Sequence, residues 1–417
     1  MPSADAEPLL CIRCKTSPAL HDLRQETVCS QCYKSYVSVK VVKRLELLQR
    51  ETRLERGLPK TQRYLLALSP GGLSSTALLN ILWENARQQR ERKIKARFEL
   101  LVAVVDTSLA DASLSSSSSS PPPPPQGGDA DASSARGAAT DAVLDEYRAR
   151  FEGVEFARVG LEDVLGAETI DWTALPAAAG AASLPPRQRL AALLAGLPSV
   201  SSRADVLRLL TRHVLVRTAL REACDVLLLG YNTTSLAELT LAETAKGRGF
   251  AVPWGVNDGV ATLPLRVQQQ QSSPDDAAPR SVTMPIYHPL RELFRKEIQL
   301  YSTLTAPPLT PLLSPGPGSG RAGSAVVSHK DLSIDDVMAR YFTEVEENYP
   351  SVVANVVRTT GKLNRSGNSE GGSCGLCGLG LDEAGDERWR GELGEQMDEG
   401  REARGRLCYG CERSVYG

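Results

Sequence analysis

The chain has 417 residues, 41% of them hydrophobic and only 5% aromatic, with a formal net charge of -2. That is apolar material for two or three folded units, with cores filled mostly by Ala, Leu and Val. Its longest apolar runs, such as Leu100 to Val105 and Val226 to Leu229, are far too short to span a bilayer. The opening MPSADAEPLL also lacks the basic-then-apolar pattern of a secretory leader, so a membrane role is excluded and a cytoplasmic protein is expected.

Cys11-x2-Cys14 is followed, after fourteen residues, by Cys29-x2-Cys32. A two-residue spacer turns both thiolates of a pair toward one ion, and two pairs complete a tetrahedral site. In a reducing compartment such cysteines bind metal rather than form disulfides. Residues 1–35 therefore read as a zinc module. Residues 36–62 read as a basic helix: Tyr33, Val37, Val41, Leu45 and Leu48 recur at helical spacing, and Lys43, Arg50 and Arg53 project from roughly the opposite side. Lys40, Lys43, Arg44, Arg50 and Arg53 are the candidate phosphate contacts on this helix; a merely solvated charged face is the alternative. A second basic run follows at Arg87, Arg90, Arg92, Lys93, Lys95 and Arg97.

From residue 63 to 305 the pattern alternates between buried strands and helices. Tyr64 to Leu68 is a strand, Gly71-Gly72 a turn, and Leu73 to Gln88 a helix with apolar Leu78, Leu79 and Leu82. Strands at Phe98 to Val105 and Val154 to Val159 come next, the first ending at Asp106. A helix at Ala204 to Ala223 carries Val206, Leu210, Val214 and Leu220 on its apolar side. Val226 to Leu229 is another strand, and Ser235 to Ala245 another helix. This order predicts an α/β core with a parallel sheet covered on both faces. Ligands of such sheets lie beyond the carboxyl ends of the strands, which places Ser69 to Ser75, Asp106 and Gly230 to Ser235 around one crevice. Residues 107–139, 266–282 and the linker 306–326 are rich in Ser, Pro, Gly or Gln and are expected to be unstructured.

The last unit, 327–417, is expected to hold a helix and a second zinc module: Cys374-x2-Cys377, thirty residues, then Cys408-x2-Cys411. Gly375, Gly378 and Gly410 suit tight knuckle turns, and the intervening Asp382 to Glu402 is strongly acidic. Both modules are closed four-thiolate sites with no open position for substrate. Eight of nine cysteines are thereby assigned, leaving Cys224, which cannot hold an iron–sulfur cluster alone, so none is expected.

Ser69-Pro70-Gly71-Gly72-Leu73-Ser74-Ser75 resembles the Ser-Gly-Gly-x-Asp-Ser loop of adenylating PP-loop enzymes, of the adenine nucleotide alpha hydrolase-like fold. Gly71, Gly72 and Ser75 are kept, but Pro70 replaces the first Ser and Ser74 the Asp. Gly230-Tyr231-Asn232-Thr233-Thr234-Ser235-Leu236-Ala237-Glu238 resembles the later Gly-His-Asn-x-Asp-Asp-x-x-Glu motif, with Thr234 and Ser235 at the aspartates. The stretch 288–301, HPLRELFRKEIQLY, is similar to a late helix of the tRNA-thiolating branch, which also carries cysteine pairs at both ends. Together these resemble the degenerate partner-subunit family of that branch. The resemblance implies a heterodimer with a catalytic PP-loop thiolase subunit that 2-thiolates the wobble uridine of Lys, Glu and Gln tRNAs, with sulfur from a thiocarboxylated ubiquitin-related modifier. Catalysis needs Mg²⁺ near the phosphates, usually secured by carboxylates. Gly71, Gly72, Ser74, Ser75 and Asp106 are therefore expected to form a degenerate nucleotide loop, with ATP binding in doubt and no catalytic residue in this chain. An active ATP-dependent tRNA sulfurtransferase and a zinc-finger interaction protein are the alternatives.

Overall fold

The computed structural model describes residues 9–57, 61–109, 129–176, 183–266, 280–314, 332–363, 373–381 and 407–417. An antiparallel hairpin of β1 (His21–Leu23) and β2 (Glu26–Val28) leads straight into helix α1 (Ser30–Arg56). The expected boundary between zinc module and basic helix at residue 36 is thus absent. Cys29 is the N-cap of α1 and its sulfur accepts from Cys32 N–H, so the second cysteine pair is itself the start of the helix.

The central sheet has six strands in the order β5-β4-β3-β6-β8-β7. They are β3 (Gln62–Ala67), β4 (Phe98–Asp106), β5 (Glu155–Gly160), β6 (Val226–Leu228), β7 (Gly259–Pro264) and β8 (Ser281–Tyr287). All neighbours pair in parallel except β7, which runs antiparallel to β8 at the edge. From β3 the chain builds outward through β4 and β5, then returns to add β6 on the other side. The switch point lies between β3 and β6, where open α/β sheets bind ligands.

Side chains alternate across β3: Tyr64 and Leu66 join one core, Leu65 another. The first core packs beneath α1, α2 (Leu73–Glu91), α3 (Asp129–Arg150) and α8 (Arg295–Leu304). The second lies under α5 (Val200–Arg221), which α4 (Pro186–Ala195) flanks. Helices α6 (Thr233–Ala245) and α7 (Val252–Val256) follow β6. Beyond them α9 (Ile334–Asn348) and α10 (Pro350–Thr360) pack on α6, and α11 (Tyr409–Tyr416) packs on α5.

Three expectations change here. Residues 129–139, taken as unstructured, are the first turns of α3, for their Ala content favours helix; residues 110–128 lie outside the described set. Residues 281–282 belong to β8, and 306–314 follow a defined path anchored by the fully buried Leu309, with a short 3-10 turn at Thr310–Leu312. Leu220 is 40% exposed, because α5 is buried on several sides and turns its last apolar residue outward. No described helix is long and apolar enough to cross a membrane.

Candidate metal centres and the closed crevice

At each end of the chain the spacing of the cysteine pairs becomes a cluster. The ligand atoms of Cys11, Cys14, Cys29 and Cys32 all lie within 4.8 Å of one another, as do those of Cys374, Cys377, Cys408 and Cys411. A tetrahedral zinc ion with Zn–S of about 2.3 Å has sulfur–sulfur edges of about 3.8 Å. Cys14 to Cys29 is 3.8 Å and Cys377 to Cys408 is 4.0 Å, so the donor sets suit a single ion. A four-iron cube binds each cysteine at a separate corner and would hold the sulfurs farther apart. Hydrogen bonds from the Thr16 hydroxyl and nearby backbone hold the Cys14 thiol down to about 5, in the thiolate range a metal needs.

The knuckles are built differently in the two modules. Gly378 has φ +71, as a glycine turn should, whereas the first module places Lys15 at φ +57. Gly410 serves close packing: a Cβ there would stand 2.5 Å from Arg248 Cγ. The C-terminal module is fully docked on the body of the protein. His213 bonds the Leu376 carbonyl at 2.8 Å, Gly375 carbonyl accepts from Asp171 N–H at 2.7 Å, and Arg248 reaches the Cys411 sulfur at 3.7 Å.

Arg248 is completely buried, and no motif in the sequence marks it. It donates to Asp205 and, at 2.8 Å, to Glu243. Lys246 joins the same two carboxylates and reaches Asp335 of α9 at 2.7 Å, while Ser414 of α11 donates to Asp205 at 2.7 Å. One ionic cluster therefore ties α5, α6, α9 and the second cysteine module together. The acidic stretch 382–402 lies outside the described residues.

At the switch point the two motif loops meet. Asn232 Nδ2 donates to Ser74 Oγ at 2.8 Å, directly between them. A Cβ on Gly230 would stand 2.9 Å from Ser75 N, so only glycine allows this approach. Gly71, at φ +75, donates its N–H to the Tyr147 hydroxyl at 3.2 Å, and its carbonyl accepts from Ser314 N–H at 3.0 Å. Tyr147 also takes a hydrogen bond from Thr76 at 2.7 Å and donates to the Leu312 carbonyl. Gly72 N–H is bound by the Ser69 carbonyl, and Ser75 Oγ donates to the carbonyls of Ser69 and Gly72. The loop is thus stitched by its own chain, through α3 and segment 306–314. Neither Tyr147 nor Ser314 stands in a motif, so nothing in the residue pattern marks them.

The expected carboxylate, Asp106, is buried and committed. Arg158 pairs with it at 2.5 Å and Ser108 N–H donates to it at 3.0 Å. Burial would raise its pKa, but Ser108 and Arg158 outweigh that and hold the carboxyl below its usual range. Thr234 and Ser235 act as helix-start residues: Ser235 completes a capping box with Asn232, and Thr234 donates to Glu346 of α9. Cys224 is buried behind the sheet, where desolvation pushes its thiol up to about 11 and suppresses the nucleophilic thiolate.

The apolar stripe of α1 is buried as its spacing predicts. Its cations divide. Lys40 pairs with Glu292 at 3.4 Å, and Arg44 pairs with Asp258 and Glu292, so both fasten α1 to the turns that carry these two acids. Lys43, Arg50 and Arg53 are exposed and form no ion pair with a described residue.

A family model described as cytoplasmic tRNA 2-thiolation protein 2 matches residues 333–413. A protein of that name from Phaeosphaeria nodorum is 34% identical over 97% of this chain and 94% of its own length. Another, from Sclerotinia sclerotiorum, is 35% identical over 83% of this chain and 80% of its own. Among solved structures, the U34-tRNA thiolase NcsA from Methanococcus maripaludis with its [4Fe-4S] cluster aligns with a TM-score of 0.48 and 17% identity, covering 93% of this chain and 98% of that one.

Proposed function

The chain belongs to the cytoplasmic tRNA 2-thiolation protein 2 family, and from that premise we propose that it is a cytoplasmic, non-catalytic subunit of a tRNA thiolase. It pairs with a catalytic PP-loop subunit and helps to hold the tRNA whose wobble uridine, in Lys, Glu and Gln tRNAs, receives sulfur. The sulfur comes from a thiocarboxylated ubiquitin-related modifier. The observation that carries the non-catalytic reading is the closed crevice: Ser74 is bound by Asn232, and the Gly71 N–H is taken by Tyr147. Transfer to a uridine carbonyl requires oriented donors and a metal beside the phosphates, and these loops spend their polar groups on each other.

Zinc is the ion we assign to both cysteine clusters. It supplies a closed four-thiolate cross-link, and the chain's own contribution is to present the sulfurs and, at the C-terminal cluster, the buried cation of Arg248 beside Cys411. The exposed Lys43, Arg50 and Arg53 form the RNA-facing side of α1.

Ser74→Ala tests the non-catalytic reading. The variant loses one hydrogen bond, worth about 1 kcal/mol, and no transition-state contact. Wobble-thiolated tRNA in cells is expected to stay within about twofold of wild type at normal protein abundance, where an equivalent loop change in the catalytic partner abolishes it. A loss of thiolation with protein level unchanged would refute the reading.

A further inference from the structure

The second basic run belongs to the end of the chain whose charge suggests a nucleic-acid face, and the fold brings its last residue, Arg97, beside α1. Glu46 of α1 pairs with Arg97, and Gln49 Nε2 donates to the Arg97 carbonyl at 2.9 Å. On the other side the Arg97 N–H is held by Gln89 of α2. The strand entry is therefore pinned between the two helices. A groove of about 530 Å³ runs between them, lined by Lys34, Lys43 and Glu46 from α1 and by Glu84, Asn85 and Gln88 from α2. Residues 90–97, at the end of α2, are all exposed, and Arg90, Arg92, Lys93 and Lys95 stand among them with Glu91 as the acidic exception.

The backbone of this turn is unusual. Helix α2 ends at Glu91, and Lys93 follows the cap residue with φ +53. Its N–H bonds the Arg90 carbonyl and that of Ile94 bonds Gln89, which closes the helix. Helices ordinarily fill this left-handed position with glycine, because a Cβ costs conformational energy there. A lysine in that place keeps an exposed cation on the turn at the expense of backbone comfort, and strain of this kind points to a use for the side chain.

The geometry points to a two-walled site for an RNA phosphate backbone: Lys43, Arg50 and Arg53 of α1 form one wall, and Arg92, Lys93 and Lys95 of the turn after α2 form the other. Arg90 turns away toward Gly153. This rests on the RNA-holding role proposed above and adds a wall that the α1 stripe alone does not supply.

The test is tRNA binding by the full chain, followed by fluorescence anisotropy from 50 to 300 mM salt. Lys43→Glu, Arg50→Glu and Arg53→Glu form one variant. Arg92→Glu, Lys93→Glu and Lys95→Glu form the second. Each set is expected to weaken binding at least tenfold at 150 mM salt and to flatten the log–log salt slope by about 2–3, since each lost phosphate contact removes about 0.7–0.9. Lys93→Gly guards against misfolding. It relieves the turn, so thermal stability should hold or rise while affinity falls about twofold to threefold. Loss from the α1 set alone overturns the second wall and leaves the RNA-holding role standing; loss from the α2 set alone overturns the two-wall site. Loss from neither removes both the site and the RNA-holding role.

Discussion

Replacing Cys374 and Cys408 together by serine is expected to lower bound zinc from two ions per chain to one and to release the C-terminal module from α5. One cysteine is taken from each pair, so neither pair can hold the ion alone. All four sulfurs of this module are buried, and Cys408 N–H also bonds the Cys374 sulfur at 3.3 Å. Without metal, hydrogen bonding among the crowded thiols and burial push Cys408 and Cys411 well above the ordinary thiol range. A divalent ion removes that conflict. Structural zinc in small peptides has an apparent binding free energy of about 10–16 kcal/mol; part of it here is the folding energy of residues 373–381 and 407–417. Cys224→Ser is the control and should change neither zinc content nor melting temperature by much. Elemental analysis of aerobically and anaerobically purified protein reads the outcome. Two zinc ions retained in the double variant, or stoichiometric iron in the wild type, would defeat the assignment.

Arg248→Met should have the next largest effect, about 3–5 kcal/mol, because Asp205 and Glu243 each lose a buried charge-assisted hydrogen bond of about 1.5–3 kcal/mol, although Arg208 and Lys246 still pair with both. The side chain satisfies Asp205, Glu243 and the Cys411 sulfur from a completely buried position. At about 2–4 °C per kcal/mol for a body of this size, the melting temperature should fall by roughly 10 °C. Burial alone would raise Glu243, but Arg208 and Arg248 draw it down to about 2. A depressed acid stabilises the fold above its unfolded pKa, about 4.3 for Glu, and that contribution is lost as pH falls toward 2. The gap between wild type and variant should therefore be widest near neutral pH and narrow below about 4.3. Arg248→Lys, which keeps the charge but not the forked geometry, should fall between. Equal melting temperatures for wild type and Arg248→Met at pH 7 would show that the cluster carries no net stability.

The parallel sheet was legible because its strands are nearly continuous apolar runs bounded by turns, a pattern that Tyr64 to Leu68 and Val226 to Leu229 both display. The cysteine clusters were legible because metal geometry dictates short-range spacing. The β7–β8 hairpin was not, since its strands flank residues 267–279 and carry Pro264 and Pro285 in place of an unbroken apolar run. The fate of Lys40 and Arg44 also escaped the sequence. Their partners Asp258 and Glu292 are more than two hundred residues away, and helical periodicity reports which side a residue faces, not what waits there. The same limit hid Tyr147 and Ser314.

The stitching of Gly71 by Tyr147 and Ser314 bears on the history of the chain. Restoring aspartate at position 74 would not restore a phosphate cradle. The new carboxylate would face Asn232, and the Gly71 N–H would still be bound by Tyr147. Reversal would need the side chain of α3, the 306–314 segment and the Thr234 and Ser235 positions to change together, each step lowering stability before any activity returned. Such a loop is a ratchet. With its donors held by the core, the loop has no single-step route to a phosphate cradle.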